Sequence, residues 1–201
     1  MQQQEWNEYY TNTSEPWTTA NSALKTETQN MIPGLALDFG CGEGADSIWL
    51  AERGWQVTAV DFAPAAIETV QRIAFQRGLQ VWGVVADIVR YQPTKKFDLV
   101  FMCYIHLPQS ERVRMLVNAS AALASGGTLL YIAVVRSGVS HGFDIPAEWL
   151  ASPEKIVTEL PDLAIERTEV VPRTVRCPGG SFRADTMTVR AFRRSAEVPA
   201  S

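Results

Sequence analysis

The chain has 201 residues, of which 46% are hydrophobic and 20% charged, and it carries a net charge of -4. This length and composition are typical of one globular domain with a full core, and the slight acidic excess disfavours a general nucleic-acid binder. The longest apolar run, Leu129 to Val135, is too short to span a bilayer. Met1 to Trp6 has neither the basic nor the apolar region of a secretion signal. We therefore expect a cytoplasmic protein with no membrane and no nucleic-acid partner.

The cysteines are few and scattered. An odd number, Cys41, Cys103 and Cys177, is typical neither of a disulfide framework nor of a zinc site. We expect free thiols in a reducing compartment and no bound metal. Sequence does not decide between a monomer and a homodimer.

Two helices are predicted before residue 33, at 4–11 and 18–31. From there, apolar runs alternate with segments of helical period, a pattern typical of a parallel sheet covered on both faces. We predict strands near 35–39, 55–60, 80–86, 97–103 and 128–135, and helices near 44–53, 64–77 and 108–124. A helical segment near 146–160 then precedes two β-rich runs, 163–171 and 185–193, which suit an antiparallel pair. The predicted class is α/β, doubly wound around a mostly parallel sheet.

The end of the first strand carries the most specific motif. Asp38 closes an apolar run, and Gly40, Gly42 and Gly44 follow at alternate positions before a helix. A dinucleotide site needs G-x-G-x-x-G so that the helix N-terminus can hold a pyrophosphate. Here the pattern is D-x-G-x-G-x-G, and its carboxylate suits a ligand that carries an ammonium or sulfonium group and no phosphate.

This motif resembles the first motif of the class I S-adenosylmethionine (SAM)-dependent methyltransferases. The resemblance implies SAM as cofactor, S-adenosylhomocysteine (SAH) as product, and a Rossmann-like sheet of seven strands whose last strand is inserted antiparallel. It places Asp38 near the methionine part of the cofactor; alternatively, Asp38 only accepts hydrogen bonds from the glycine turn. Cys41, between two glycines, is interpreted as a small residue that permits close approach.

Acids also end the second and third strands. Asp61 lies about 20 residues beyond the first motif glycine, the offset at which a carboxylate meets a ribose edge, and Phe62 would then lie against the adenine ring. Asp61 could instead cap the helix that starts at Pro64. The resemblance implies that Asp87 accepts from the adenine amino group and that Ile88 packs on the ring, whereas Asp87 alone is an ordinary turn residue.

The fourth strand ends in Cys103-Tyr104-Ile105-His106, and the resemblance places this end at the methyl group of the cofactor. Tyr104 and His106 are the candidate catalytic residues, because an unperturbed histidine accepts a proton near neutral pH. His106 could equally be a loop residue bonded to the main chain. No Asn-Pro-Pro-Tyr-like run follows the strand, which favours a small-molecule acceptor such as a thiol, a chalcogen anion or an amine over a macromolecule.

The N-terminal segment is rich in aromatic residues: Trp6, Tyr9, Tyr10 and later Trp17. It resembles the opening of the small bacterial tellurite-resistance and thiol-methylating enzymes, in which this segment forms a lid over the cofactor. The alternative is a single apolar helix face packed on the domain, since positions i, i+3 and i+4 share a side. We accordingly predict a helical lid at 1–33, a SAM-binding methyltransferase domain at 34–194 and a frayed tail at 195–201.

Half of the fourteen arginines follow residue 165. Their alternation predicts solvated faces of the last two strands. A subset near Pro172–Arg183 could instead reach the mouth of the pocket and attract an anionic substrate. Two other functions remain as alternatives to the methyltransferase, an NAD(P)-dependent oxidoreductase and a non-catalytic SAM-binding protein.

Overall fold

A single sheet of seven strands organises the residues that the computed structural model describes, 3–13, 16–136, 145–177 and 180–195. Apart from Ser195, the predicted tail lies outside these residues. The strands are β1 (Leu35–Phe39), β2 (Gln56–Asp61), β3 (Val81–Val85), β4 (Phe97–Cys103), β5 (Leu123–Arg136), β6 (Ala164–Cys177) and β7 (Gly180–Phe192).

The strand order is β3-β2-β1-β4-β5-β7-β6. Strands β1 to β5 pair in parallel, and β7 lies antiparallel between β5 and β6. This confirms the predicted fold class, including the antiparallel last strand. The chain order reverses at β1, whose neighbours are β2 on one side and β4 on the other. In such sheets the crevice for a ligand lies beyond the carboxyl ends of the strands at this switch point.

Helices cover both faces of the sheet. On one face, Leu24 and Leu50 pack with Phe101 of β4; on the other, Leu116 and Ile156 share a core with the central strands. The described helices are α1 (Gln3–Asn12), α2 (Ser22–Thr28), α3 (Ala45–Ala51), α4 (Pro64–Arg77), α5 (Gln109–Ala122) and α6 (Pro153–Thr158), with a 3-10 turn at Ala147–Trp149. No helix in the described part of the chain is long and apolar enough to cross a membrane.

Two predicted helices and three predicted strands differ in extent from the structure, and the first of these strands, β5, begins at Leu123 rather than near residue 128. The helix predicted at 18–31 begins only at Ser22, because Asn21 caps it and accepts the amide of Ala23 through its side chain. The helix predicted at 146–160 is divided, because Ser152 caps a new helix that begins at Pro153. Strands β6 and β7 are longer than predicted, since they pair with each other along almost their whole length.

Candidate active site

The turn between β1 and α3 brings backbone, not side chains, to the switch point. At Gly40 an added Cβ would lie 2.3 Å from Cδ1 of Ile105, so a side chain here would collide with the segment that follows β4. The amides of Gly40 and Cys41 both donate to the carbonyl of Val60, at 2.8 and 3.0 Å. All three motif glycines have positive φ, at 76° (Gly40), 51° (Gly42) and 83° (Gly44). Only glycine adopts this conformation readily, so the motif is a property of the turn itself.

Asp61 joins this turn to the end of β2. Its carboxylate accepts the amide of Gly42 on one oxygen and the amide of Ala63 on the other, each at 2.9 Å. The side chain is almost fully buried, and burial raises its pKa although both hydrogen bonds lower it. Asp61 therefore accepts the amide of Ala63, the N-cap residue of α4, but does not itself cap the helix, and it lies directly on the glycine turn.

Two further carboxylates lie beside the turn, the buried Asp38 and the half-buried Asp46. Asp38 accepts the hydroxyl of Ser47 at 2.7 Å, and Asp46 accepts the amide of Asn21 at 2.6 Å. Burial raises the pKa of both, and their mutual repulsion raises that of Asp38 further. Among the groups that perturb these pKa values, the one cation is Lys25, which acts on Asp46. The carboxylates thus have little positive charge to compensate them, and a cationic ligand would supply it.

The two cysteines near the turn are not poised as nucleophiles. Burial raises the pKa of the Cys41 thiol, and Asp38 raises it further. Burial and then Asp46 do the same for Cys103. Both are free thiols, and Cys41 bonds only the neighbouring carbonyl of Gly42 at 3.4 Å. A thiol with a raised pKa stays protonated at neutral pH.

The predicted adenine-binding residues lie at the end of β3. Ile88 is buried and comes within 3.7 Å of the position that a Cβ on Gly40 would occupy. Asp87 accepts the amide of Val89 at 2.9 Å, and its side chain is half exposed. Asp87 thus acts as the turn residue that the alternative interpretation described. Phe62, which follows Asp61 at the end of β2, is half-buried. Of these residues, Ile88 reaches the glycine turn.

Tyr104 stands at the end of β4 in an unusual conformation. It is the one described non-glycine residue with positive φ, at 60°, and such a value in a bulky residue marks backbone strain. Its amide donates to the carbonyl of Ile132 at 2.7 Å, which fixes the strained residue to β5. Burial raises the pKa of its hydroxyl to about 12, while Thr186, Asn21 and Arg173 lower it.

His106 is buried beside the main chain. The amide of Val134 donates to its Nε2 at 3.2 Å, and burial lowers its pKa to about 4. The ring is therefore neutral at physiological pH and already accepts a backbone hydrogen bond. This is the arrangement that the loop-residue alternative described.

The N-terminal segment lies across the glycine turn. The hydroxyl of Tyr10 is 3.0 Å from where a Cβ on Gly42 would stand, and Asn7 accepts the amide of Ala65 at 3.1 Å. Burial raises the pKa of Tyr10, as does the nearby Asp61. The amide of Trp17 donates to Glu43 at 2.9 Å. Trp6 also stacks on Tyr10 and meets Tyr9 edge on, so the three aromatic residues form one cluster on α1.

Sequence reasoning missed three polar residues of this site. Asp46 lies in the first turn of α3, where an acid has an ordinary structural role, but it is half-buried beside Cys103 of β4 and accepts the amide of Asn21. Glu43, inside the glycine motif, was given no role, although it binds the N-terminal segment. Asn21 has no signal beyond a favoured capping residue, and its place in the site depends on the path of residues 16–21.

Comparison with known proteins agrees with this geometry. Residues 36–127 match the family model of a methyltransferase domain. A stretch of 80 residues is 40% identical to a 2-heptyl-1-hydroxyquinolin-4(1H)-one methyltransferase of Mycobacteroides abscessus, covering 38% of this chain and 35% of that protein. Another of 117 residues is 30% identical to a ubiquinone biosynthesis O-methyltransferase of Idiomarina loihiensis, covering 57% and 48%. The chain thus spans less than half the length of these curated relatives.

Among solved structures, TehB from Haemophilus influenzae superposes with a TM-score of 0.75 at 16% identity, covering 94% of this chain and 67% of that one. At this identity the likeness concerns the fold. The predicted fold class is confirmed. Residues 36–127 are thus similar to a methyltransferase domain, and the described chain shares the fold of the TehB structure.

Proposed function

We propose that this protein transfers the methyl group of SAM to a small molecule. The observation that carries the proposal is the group of carboxylates around the glycine turn, the buried Asp38 and Asp61 and the half-buried Asp46. SAM brings both a sulfonium and an ammonium charge, and it supplies an electrophilic methyl carbon. A phosphate-bearing dinucleotide would meet the same carboxylates with the wrong sign of charge, which disfavours the oxidoreductase alternative.

Individual residues take the following roles in the proposal. Asp61 accepts hydrogen bonds from the ribose hydroxyls, and Phe62 and Ile88 flank the adenine, with Asp87 at its amino edge. The backbone of Gly40, Cys41, Gly42 and Gly44 receives the methionine part near Asp38, while Cys103 lies beside the methyl group and Trp17 at the edge of the covering segment. Methyl transfer is an in-line displacement, so these residues accelerate it mainly by holding the reacting atoms collinear and excluding water.

The end of β4 shapes the acceptor side. Tyr104 lines the pocket, and the strained turn directs its hydroxyl toward β7. A neutral His106 that already accepts from Val134 acts in this proposal by holding the turn, because a base with a pKa of about 4 removes protons poorly at neutral pH. Of the curated relatives described above, one is named for a small quinolone acceptor and the other for ubiquinone biosynthesis, and both names support a small molecule here.

The proposal is tested first by isothermal titration with SAM, SAH and NAD in parallel. Micromolar binding of SAM and SAH without a response to NAD is expected. Transfer of a labelled methyl group to a panel of thiols, chalcogen anions, amines and phenols then separates an enzyme from a non-catalytic SAM-binding protein. Binding of NAD but not SAM would refute the proposal.

The N-terminal segment, residues 1–33, is proposed as a lid over the cofactor. Tyr10 against Gly42 and the amide of Trp17 on Glu43 support it, since both contacts cover the turn. The variant Tyr10→Ala should release SAH about tenfold faster, measured by displacement in a stopped-flow fluorimeter. Gln4→Ala, on the exposed part of the same helix, is the matched control. Equal release rates for all three proteins would contradict the lid and leave the alternative of simple packing.

A further inference from the structure

Poorly paired polar atoms surround the Tyr104 side chain. Among the described residues, Nε of Arg173 is buried and has no hydrogen-bond partner, while Nδ2 of Asn21 and Oγ1 of Thr186 are buried and approach the hydroxyl of Tyr104 without good hydrogen-bond geometry. Buried polar groups normally have a well-placed partner, because leaving them unpaired costs free energy comparable to a lost hydrogen bond. Thr186 is completely buried. These atoms therefore have unused hydrogen-bonding capacity in one place.

The fold brings these residues together from three distant parts of the chain. Thr186 on β7 is paired with Val134 of β5, and Arg173 on β6 is paired with Ala184. Side chains two positions apart on a strand point to the same face, so Ala184 and Thr186 share one face of β7. Arg173 is paired with Ala184 and therefore lies on that face as well. Asn21 arrives with α2, and the hydroxyl of Tyr104 is affected by all three side chains.

The cluster is dominated by hydrogen-bond donors and contains one cation, the guanidinium of Arg173, which is paired with Glu169. The amide nitrogen of Asn21 and the guanidinium of Arg173 can only donate, and the hydroxyls of Tyr104 and Thr186 can do so. Arg173 forms an ion pair with Glu169 at 3.2 Å through one terminal nitrogen, which leaves Nε directed elsewhere. A set of donors around one cation matches an oxyanion better than any neutral or cationic group.

The cluster also adjoins the proposed cofactor site. Asn21 donates its backbone amide to Asp46, and Asp46 lies against the thiol of Cys103, the residue before Tyr104. A molecule held by the cluster would therefore lie next to the strand end that faces the methyl group. This placement separates the cluster from the adenine side, which is formed by the ends of β2 and β3.

We propose that Tyr104, Asn21, Thr186 and Arg173 form the acceptor subsite and select a small molecule that carries an oxyanion. This inference rests on the proposed methyltransferase function and extends it to a substrate class. When the acceptor atom is itself the anion, a lone pair of that atom forms the bond to the methyl carbon. The bond between this carbon and sulfur breaks, its electron pair remains on sulfur, and SAH is the product. No proton has to be removed, which agrees with a neutral His106.

The test uses the full chain saturated with SAH and titrated with benzoate and with benzamide, its neutral counterpart of equal size. Benzoate is expected to bind roughly ten- to a hundredfold more tightly, the range expected for charge-assisted hydrogen bonds. Arg173→Gln and Thr186→Val should each remove much of this preference. Asn21→Asp is the most specific variant, because aspartate caps α2 equally well but replaces the poorly paired donor by a negative oxygen.

Arg183→Gln provides the matched control, since Arg183 is an exposed arginine on β7 and lies on the opposite face from Thr186. It should keep the preference for benzoate. Affinity for SAH is measured on every variant, so that loss of the cofactor is distinguished from loss of the subsite. Absent SAH binding in the unmodified protein would refute the proposed function. Normal SAH binding with no benzoate response, or with equal responses to benzoate and benzamide, would overturn the subsite alone.

Discussion

Replacing Asp61 by asparagine tests the cofactor site at its most connected residue. The side chain keeps its size, but one of two acceptor oxygens becomes an NH₂ group. Asp61 accepts from Gly42 and from Ala63, so one of these amides would face a donor in the variant. The change also removes a charged acceptor from the proposed ribose contact.

The expected loss follows from these bonds. An unsatisfied buried amide costs about 1–3 kcal/mol, and a hydrogen bond to a charged group contributes about 1.5–3 kcal/mol. The unsatisfied amide lowers in part the stability of the folded protein, whereas loss of the charged acceptor lowers the affinity for SAM. We therefore expect the Kd for SAM to rise about ten- to a hundredfold, since each factor of ten corresponds to about 1.4 kcal/mol.

The assay is isothermal titration with SAM, combined with urea unfolding of the free protein. Asp98→Asn is the matched control, because Asp98 accepts the amide of Leu35 at 2.8 Å where β1 begins, at the opposite end from the glycine turn. The Kd of the Asp98→Asn variant for SAM should equal that of the unmodified protein. If Asp61→Asn stays folded and binds SAM within about twofold of the unmodified protein, the assignment of Asp61 to the cofactor is wrong.

Three further predictions concern the glycine turn, the titration of His106 and the buried ion pair between Glu159 and Arg112. Gly40→Ala should lower stability by about 1–2 kcal/mol, because φ is 76° and the new Cβ meets Ile105; an unchanged Tm would contradict this. The pKa of His106 is lowered to about 4 from about 6.5 when unfolded, so the unfolded chain takes up the proton first as pH falls. The stability of the unmodified protein relative to His106→Gln should fall by up to roughly 3 kcal/mol between pH 7 and pH 4, and a constant difference would exclude this titration. Glu159→Ala leaves the buried Arg112 unpaired and should cost about 3–5 kcal/mol in urea unfolding. Glu52→Ala, which breaks the exposed pair with Arg77, should cost less than about 1 kcal/mol, and equal losses would refute the distinction.

The sequence determined the order and type of most elements, because hydrophobic periodicity and turn residues act over a few neighbouring positions. Strands β1 to β4 and helices α3 to α5 begin and end within a few residues of their predicted limits. The glycine turn could be identified for the same reason, since its positive φ values require glycine locally. The motif also indicated the cofactor, because Asp38 and the turn occur within seven residues.

Tertiary structure alone decided what surrounds Tyr104. Asn21, Arg173 and Thr186 are distant in the sequence. They meet because α2 packs on β4 and β5 and its Glu27 pairs with Arg167 of β6 and Arg190 of β7. The same holds for His106, whose lowered pKa arises from burial and from a strand beginning 17 residues later. Burial and long-range pairing depend on how all the elements pack, and no local pattern encodes them. The sequence therefore determined where the cofactor motif lies, and packing decided which side chains face the acceptor.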